Sequence, residues 1–131
     1  MKKILYVLMI CLSLVIAKSS LAGTCEGGKE FPGTINGHNY CASNVGMTWW
    51  ASFEWCKKQG RKLASMNQLC PDWSGATGAN ACPNMKSGKD YWGWASNPAP
   101  TQSTHSYYVN PALAHVGYYN RSIPVASAIC Y

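Results

Sequence analysis

The sequence predicts a small exported α+β domain that is held together by disulfides. Helix caps and helical spacing of apolar residues occur in residues 48–68, whereas short aromatic and β-branched runs separated by turn residues follow residue 90. Six cysteines lie beyond an N-terminal leader, and an even number in a small exported chain is typical of a disulfide framework.

The N-terminal segment has the three parts of a secretory signal peptide. Two lysines precede an almost uninterrupted apolar run over residues 4–17, and small residues follow up to Ala22. The run is too short to span a membrane comfortably. We therefore expect a signal peptide over residues 1–22 and one domain over residues 23–131, secreted or periplasmic and without a membrane span. The two-lysine start is typical of bacteria.

The charge of the exported domain argues against a nucleic-acid partner. Three of the eleven basic residues lie in the leader and all five acidic residues lie beyond it, so the net charge falls from +6 for the whole chain to +3 for the domain. This charge is mild, and the sequence has no basic stripe with interleaved aromatic residues. We expect no nucleic-acid binding.

A helix is predicted after the first third of the chain. Thr48 can accept a hydrogen bond from a backbone amide of the first turn, which is the function of an N-cap. Trp49, Phe53 and Cys56 follow at a spacing that places them on one helix face. Gly60 favours the left-handed conformation that ends a helix.

A second, shorter helix and a loop follow. Ser65 and Gln68 have the spacing of a capping box. Residues 71–89 are rich in glycine, serine, alanine, asparagine and proline, which predicts a loop.

Strand signals lie on both sides of this helical region. Asn36-Gly37 strongly favours a tight turn in an N-terminal β-hairpin. Residues 91–96, 106–109, 114–119 and 125–130 have the composition of strands and are separated by turn residues. The last three are expected to close the domain as a meander.

The helical region also carries a family resemblance. The aromatic-rich segment that ends Trp55-Cys56, followed by Lys-Gln-Gly-Arg-Lys-Leu-Ala-Ser over residues 58–65, resembles the first helix and turn of C-type lectin-like domains. The resemblance implies a C-type lectin-like fold, with two helices packed on small antiparallel sheets and stapled by disulfides. It covers most of the chain after residue 40.

The cysteine count leaves the pairing open, but the resemblance implies two of the bridges. A long bridge in that family corresponds to Cys56–Cys130, and the extra bridge of long-form members corresponds to Cys25–Cys41. We place a third bridge, Cys70–Cys82, across the loop, although this pair departs from the usual family pattern. A zinc site is disfavoured because the sequence contains no C-x-x-C pair and the histidines do not cluster.

The aromatic residues are expected to divide into a core set and a surface set. All six tryptophans and seven of the eight tyrosines follow the leader, more than one small core needs. The resemblance implies a central tryptophan in the sheet, for which Trp92 is the candidate, and alternation places Trp94 on the same face. The residues expected in the core are Trp49, Phe53, Trp55, Trp92 and Tyr107. The residues expected to bind a ligand are Trp73, Trp94, His105 and Tyr108.

Acidic residues are too sparse for the calcium site of sugar-binding family members. Calcium takes about six to eight oxygen ligands, usually including several carboxylates. The chain has neither the Glu-Pro-Asn nor the Gln-Pro-Asp triplet, and no acidic residue follows Asp90. We expect no metal and no cofactor. Enzymatic activity is not expected either, because no glycosidase carboxylate pair, G-x-S-x-G or H-E-x-x-H motif is present.

The function that we expect is calcium-independent binding. We expect a secreted module that recognises a glycan or protein ligand on the face that carries the long loop, over residues 71–106. Its role would be carbohydrate binding or adhesion. Tryptophan and tyrosine offer a flat apolar body with a polar edge, which suits both kinds of ligand. A structural or assembly subunit of a bacterial surface appendage or envelope complex is the alternative, and a secreted enzyme or effector is the least favoured.

Overall fold

The computed structural model describes residues 23–35, 37–85 and 90–131. The predicted signal peptide and Asn36 of the predicted hairpin turn lie outside these residues. Neither α-helix in the described ranges is long and apolar enough to cross a membrane.

The described residues form six strands, two α-helices and one short 3-10 helix. In chain order these are β1 (Gly28–Ile35), β2 (His38–Ser43), α1 (Trp49–Lys58), α2 (Met66–Leu69), the 3-10 helix (Pro83–Met85), β3 (Gly93–Pro98), β4 (His105–Asn110), β5 (His115–Asn120) and β6 (Ser127–Cys130). The strands make one sheet in the order β1-β2-β6-β3-β4-β5. All pairs are antiparallel except β3 with β6, which are parallel.

The predicted C-type lectin-like fold, with two helices on small antiparallel sheets, is wrong. The described chain has one mixed six-stranded sheet, and its two helices contain ten and four residues. The predicted closing meander fails at β6, which does not lie beside β5 but enters the sheet between β2 and β3. Local patterns identified the strand segments, but strand neighbours depend on contacts between residues far apart in sequence.

The predicted ends of the helices are confirmed. The Ala51 amide donates a hydrogen bond to the Thr48 side chain at 3.2 Å, and Gly60 has a φ of +69° just after α1. Ser65 and Gln68 make both hydrogen bonds of the capping box. Each signal acts within one turn of the chain, so the sequence alone is enough to predict it.

The buried face of α1 differs from the predicted one. Trp49, Ser52 and Cys56 are buried, whereas Phe53 is 37% exposed. Ser52 of α1 therefore faces the core, and the Ser52 hydroxyl donates to the Thr48 carbonyl at 3.1 Å. That local bond satisfies the hydroxyl and allows a polar residue to lie in the core.

Three disulfides are formed, and all three predicted pairs are confirmed. The bridges are Cys25–Cys41, Cys56–Cys130 and Cys70–Cys82. The first closes the β1–β2 hairpin, the second ties α1 to β6, and the third closes the loop after α2.

The sheet has a hydrophobic cluster on each face. One cluster contains Met66 of α2 and Ile129 of β6, and the other contains Trp49 of α1 and Ala128 of β6. Adjacent residues of β6 thus point to opposite faces, as expected for a central strand. Helix α1 packs mainly on β6 and β3, and Tyr119 of β5 remains 45% exposed on the same face of the sheet.

The predicted roles of two tryptophans in the sheet are reversed. Trp94 is fully buried, and its Nε1 donates to the Met47 carbonyl at 2.7 Å. Trp92, predicted as the core anchor, precedes β3 and is 38% exposed. Both rings contact Tyr108, so the prediction of a shared face holds. Trp94 joins the cluster under α1, whereas Trp92 lies outside that cluster.

Candidate functional site

The four residues predicted to bind a ligand do not form one site. His105 and Tyr108 both lie on β4, but they are three positions apart and therefore point to opposite faces of the sheet. Trp73 contacts the His105 face, and Trp94 lies on the Tyr108 face. Trp94 has no exposed surface and cannot contact a ligand directly.

The Trp73 side of the sheet is a row of packed rings. Trp73 meets Tyr107 edge-on with ring centroids 4.7 Å apart, and its Nε1 donates to the Ala76 carbonyl at 2.7 Å. Tyr107 is buried and contacts Tyr118, which in turn contacts His105. Because Trp73 packs against the core cluster and its N–H is occupied, we assign it mainly a packing role.

The opposite side carries a group of rings that we call the aromatic shelf, made of Trp92, Tyr108, His115 and Tyr119. Ring centroids are 5.0 Å apart for Trp92 and Tyr108, 5.2 Å for Trp92 and His115, and 6.4 Å for Tyr108 and Tyr119. Tyr119 is 45% exposed. Trp92 precedes β3 and the other three residues lie on β4 and β5; the exposure of Trp92 and Tyr119 shows that α1 leaves this part of the face open.

A glycine at the centre of the shelf makes room for Tyr108. Gly117 is the register partner of Tyr108 across β4 and β5. A Cβ atom on Gly117 would lie 2.8 Å from the Tyr108 hydroxyl and 2.9 Å from its Cζ. These distances are shorter than normal contacts, so the Tyr108 ring can rest against this strand only because the position is glycine.

His115 and Tyr108 give the shelf its polar groups. Their rings are nearly parallel, with an interplanar angle of 22° and centroids 6.1 Å apart. The Nδ1 of His115 is buried and has no hydrogen-bond partner among the described residues. Burial, and then the neighbouring Tyr119, raise the pKa of Tyr108. The Tyr108 hydroxyl is therefore neutral near physiological pH and can both donate and accept a hydrogen bond.

A cation lies on the same face, between α1 and β4. The Nε of Arg121 donates to the Ser106 hydroxyl at 2.8 Å and to the His105 carbonyl at 3.1 Å. Its Cζ lies 4.7 Å from the ring centroid of Trp49 and 5.7 Å from that of Trp50. Trp50 is 58% exposed, so the arginine is bordered by an accessible ring.

Two concave surfaces lie elsewhere. A pocket of about 270 Å³ adjoins β2 and is lined by Lys29, Ala42, Ser43, Asn44, Asp90, Tyr91 and Ser127. A wider depression of about 530 Å³ lies beside α1 and is lined by Phe53, Glu54, Lys57, Arg61, Lys62, Leu63 and Ser96. Arg61 in the second one is already paired with Glu30. Neither pocket contains residues of the aromatic shelf.

The chemistry available at the shelf is that of non-covalent binding. In residues 23–35, 37–85 and 90–131, no three histidine, cysteine or acidic side chains come together as a metal site. Partly exposed aromatic rings bind apolar surfaces, and their hydroxyl and imidazole groups can fix the orientation of a polar ligand.

Sequence reasoning missed three residues of the shelf: Trp92, His115 and Tyr119. Trp92 was placed in the core, and the other two were not considered for ligand binding. The alternation His115-x-Gly117-x-Tyr119 does indicate that the two aromatic side chains share a face. The sequence does not show that this face is exposed to solvent. The exposure depends on where α1 lies in the folded chain.

Comparison with protein-family models and with curated proteins found no match for this chain.

Proposed function

We propose that this protein is an exported, calcium-independent binding module that recognises a glycan on its aromatic shelf. The observation that carries the proposal is the contact of four aromatic rings on a part of the sheet that α1 does not cover. Such a surface is apolar, and it is bordered by hydroxyl and imidazole groups. It matches the C–H face and the hydroxyls of a sugar ring.

Calcium independence is supported by the chemistry of the shelf. Hard cations bind oxygen ligands, and calcium sites usually contain several carboxylates. The shelf contains phenol, indole and imidazole groups but no carboxylate. Asp90 accepts a hydrogen bond from Asn110 Nδ2 at 2.8 Å, so part of its binding capacity is already used.

Export is supported by the disulfides. Structural disulfides form in oxidising compartments, and all six cysteines in the described residues are paired. The signal-like composition of residues 1–22 agrees with this compartment.

The test is a glycan array probed with oxidised protein, followed by titration of the glycans that bind. We expect Tyr119→Ala to weaken binding by about tenfold, since truncation of an important aromatic residue of a binding surface costs on the order of 1–2 kcal/mol. Tyr118→Ala is the matched control, because it removes the neighbouring tyrosine from the opposite face of β5.

Both variants are measured for melting temperature, so that loss of folding is not mistaken for loss of binding. Addition of EDTA should leave the affinity unchanged. Loss of binding in EDTA, or equal weakening by the two tyrosine variants, would contradict the proposal.

A further inference from the structure

Arg121 is fixed in place before any ligand arrives. Its Nε makes two hydrogen bonds, to the Ser106 hydroxyl and the His105 carbonyl, and its guanidinium lies within cation–π distance of Trp49. Ser106 is fully buried on β4. An arginine held at its Nε has little side-chain freedom left to lose on binding.

The charge of this arginine is not balanced within the described chain. In the described ranges an ion pair is formed between Arg61 and Glu30, and none involves Arg121. The hydrogen bonds of Arg121 use its Nε, so the two terminal amino groups have no partner among the described residues. Arg121 is only partly exposed, which reduces the screening of its charge by water.

The guanidinium of Arg121 lies on the same side of the sheet as the aromatic shelf. Ser106, its hydrogen-bond partner, is the register partner of Tyr119 and lies two residues before Tyr108 on the same face of β4. Arg121 therefore stands at the α1 side of the aromatic shelf. A ligand stacked on Tyr119 would bring its substituents toward this cation.

We infer that the shelf prefers anionic sugars, with Arg121 binding a carboxylate or sulfate group of the ligand. The inference rests on the proposed glycan-binding function. A guanidinium with two free amino groups can form paired hydrogen bonds to such an anion, and charge-assisted bonds of this kind are strong. The aromatic rings bind the sugar face, and Arg121 selects its substituent.

The test compares three oligosaccharides with the same backbone: a neutral one, a uronate-containing one and a sulfated one. The wild-type protein should bind at least one acidic form about tenfold or more tightly than the neutral form, and added salt should reduce this preference. The acidic form that gains most identifies the anion.

Arg121→Gln should bring the ratio of acidic to neutral affinity close to one. Arg121→Lys keeps the charge but not the paired geometry, so it should retain only part of the preference. It also serves as the measurable variant if Arg121→Gln does not fold.

The two proposals fail in different ways. Equal affinity of the wild type for neutral and acidic forms, or full preference in either Arg121 variant, would overturn the inference and leave glycan binding intact. Absence of binding to every oligosaccharide, or binding that is insensitive to Tyr119→Ala, would overturn the proposed function itself.

Discussion

Truncation of Trp94 should destabilise the protein far more than truncation of Trp92, although the two residues are separated by a single glycine. Trp94 is fully buried, and replacement of a core tryptophan with alanine costs about 3–5 kcal/mol. Trp92 is partly exposed and contacts Tyr108 and His115, so its loss removes two aromatic pairs worth about 0.5–1.5 kcal/mol each.

The assay is denaturant unfolding of Trp94→Ala and Trp92→Ala under oxidising conditions. For a domain of this size, 1 kcal/mol corresponds to about 4–8 °C in melting temperature, so the difference should also be clear in thermal unfolding. Trp94→Phe keeps a six-membered ring but removes the pyrrole ring and the N–H that donates to the Met47 carbonyl. We expect this variant to lose about 1–3 kcal/mol, from the lost hydrogen bond and the small cavity.

Variants of Trp92 and Trp94 should also differ in their effect on glycan affinity. Trp92→Ala should weaken glycan binding by about tenfold, whereas Trp94→Phe should leave the affinity nearly unchanged because Trp94 has no exposed surface. If Trp92→Ala is as destabilising as Trp94→Ala, then Trp92 is part of the core and the reasoning about the open face of the sheet is wrong.

The remaining predictions concern a disulfide, the shelf and a buried phenol. Replacement of both Cys56 and Cys130 by serine should cost about 4 kcal/mol in the chain-entropy model, and an unchanged melting temperature would refute it. Gly117→Val should displace Tyr108 and lower stability by about 1–3 kcal/mol; glycan binding as strong as that of the wild type would contradict the shelf geometry. Burial raises the pKa of Tyr40 from 10.0 to about 12, with a smaller effect from Tyr131. Because burial raises this pKa, the folded state keeps the Tyr40 proton up to a higher pH than the unfolded state does. The free energy of unfolding therefore keeps its full value below pH 10 and falls as the pH rises toward 12. Tyr40→Phe should therefore reduce the alkaline loss of stability, as measured by chemical unfolding at several pH values, and an identical loss in both proteins would count against it.

Some predictions from the sequence were correct because their causes are local. The capping hydroxyl of Thr48, the capping box at Ser65 and the left-handed Gly60 each depend on groups within a few residues. The strand segments were also located, because turn residues and aromatic or β-branched runs are visible in a short window.

Other predictions needed more than local information. Two of the disulfide pairs followed from a family resemblance, and the third was placed across the loop against the usual family pattern. All three pairs are correct, even though the fold that accompanied the resemblance is wrong. A disulfide constrains two points of a chain, and different sheet arrangements can satisfy the same pair of points. The pairing of Cys56 with Cys130 therefore did not determine which strands lie beside β6.

The sequence by itself determined the helix ends, the strand segments, the cysteine set and the abundance of aromatic residues. Only the tertiary structure decided that β6 lies between β2 and β3, that α1 covers Trp94 but not Trp92, and that Tyr108 rests on Gly117. Each of these facts is a contact between residues far apart in the chain. Burial depends on what lies above a side chain, and the side chain's own neighbours in sequence do not specify it.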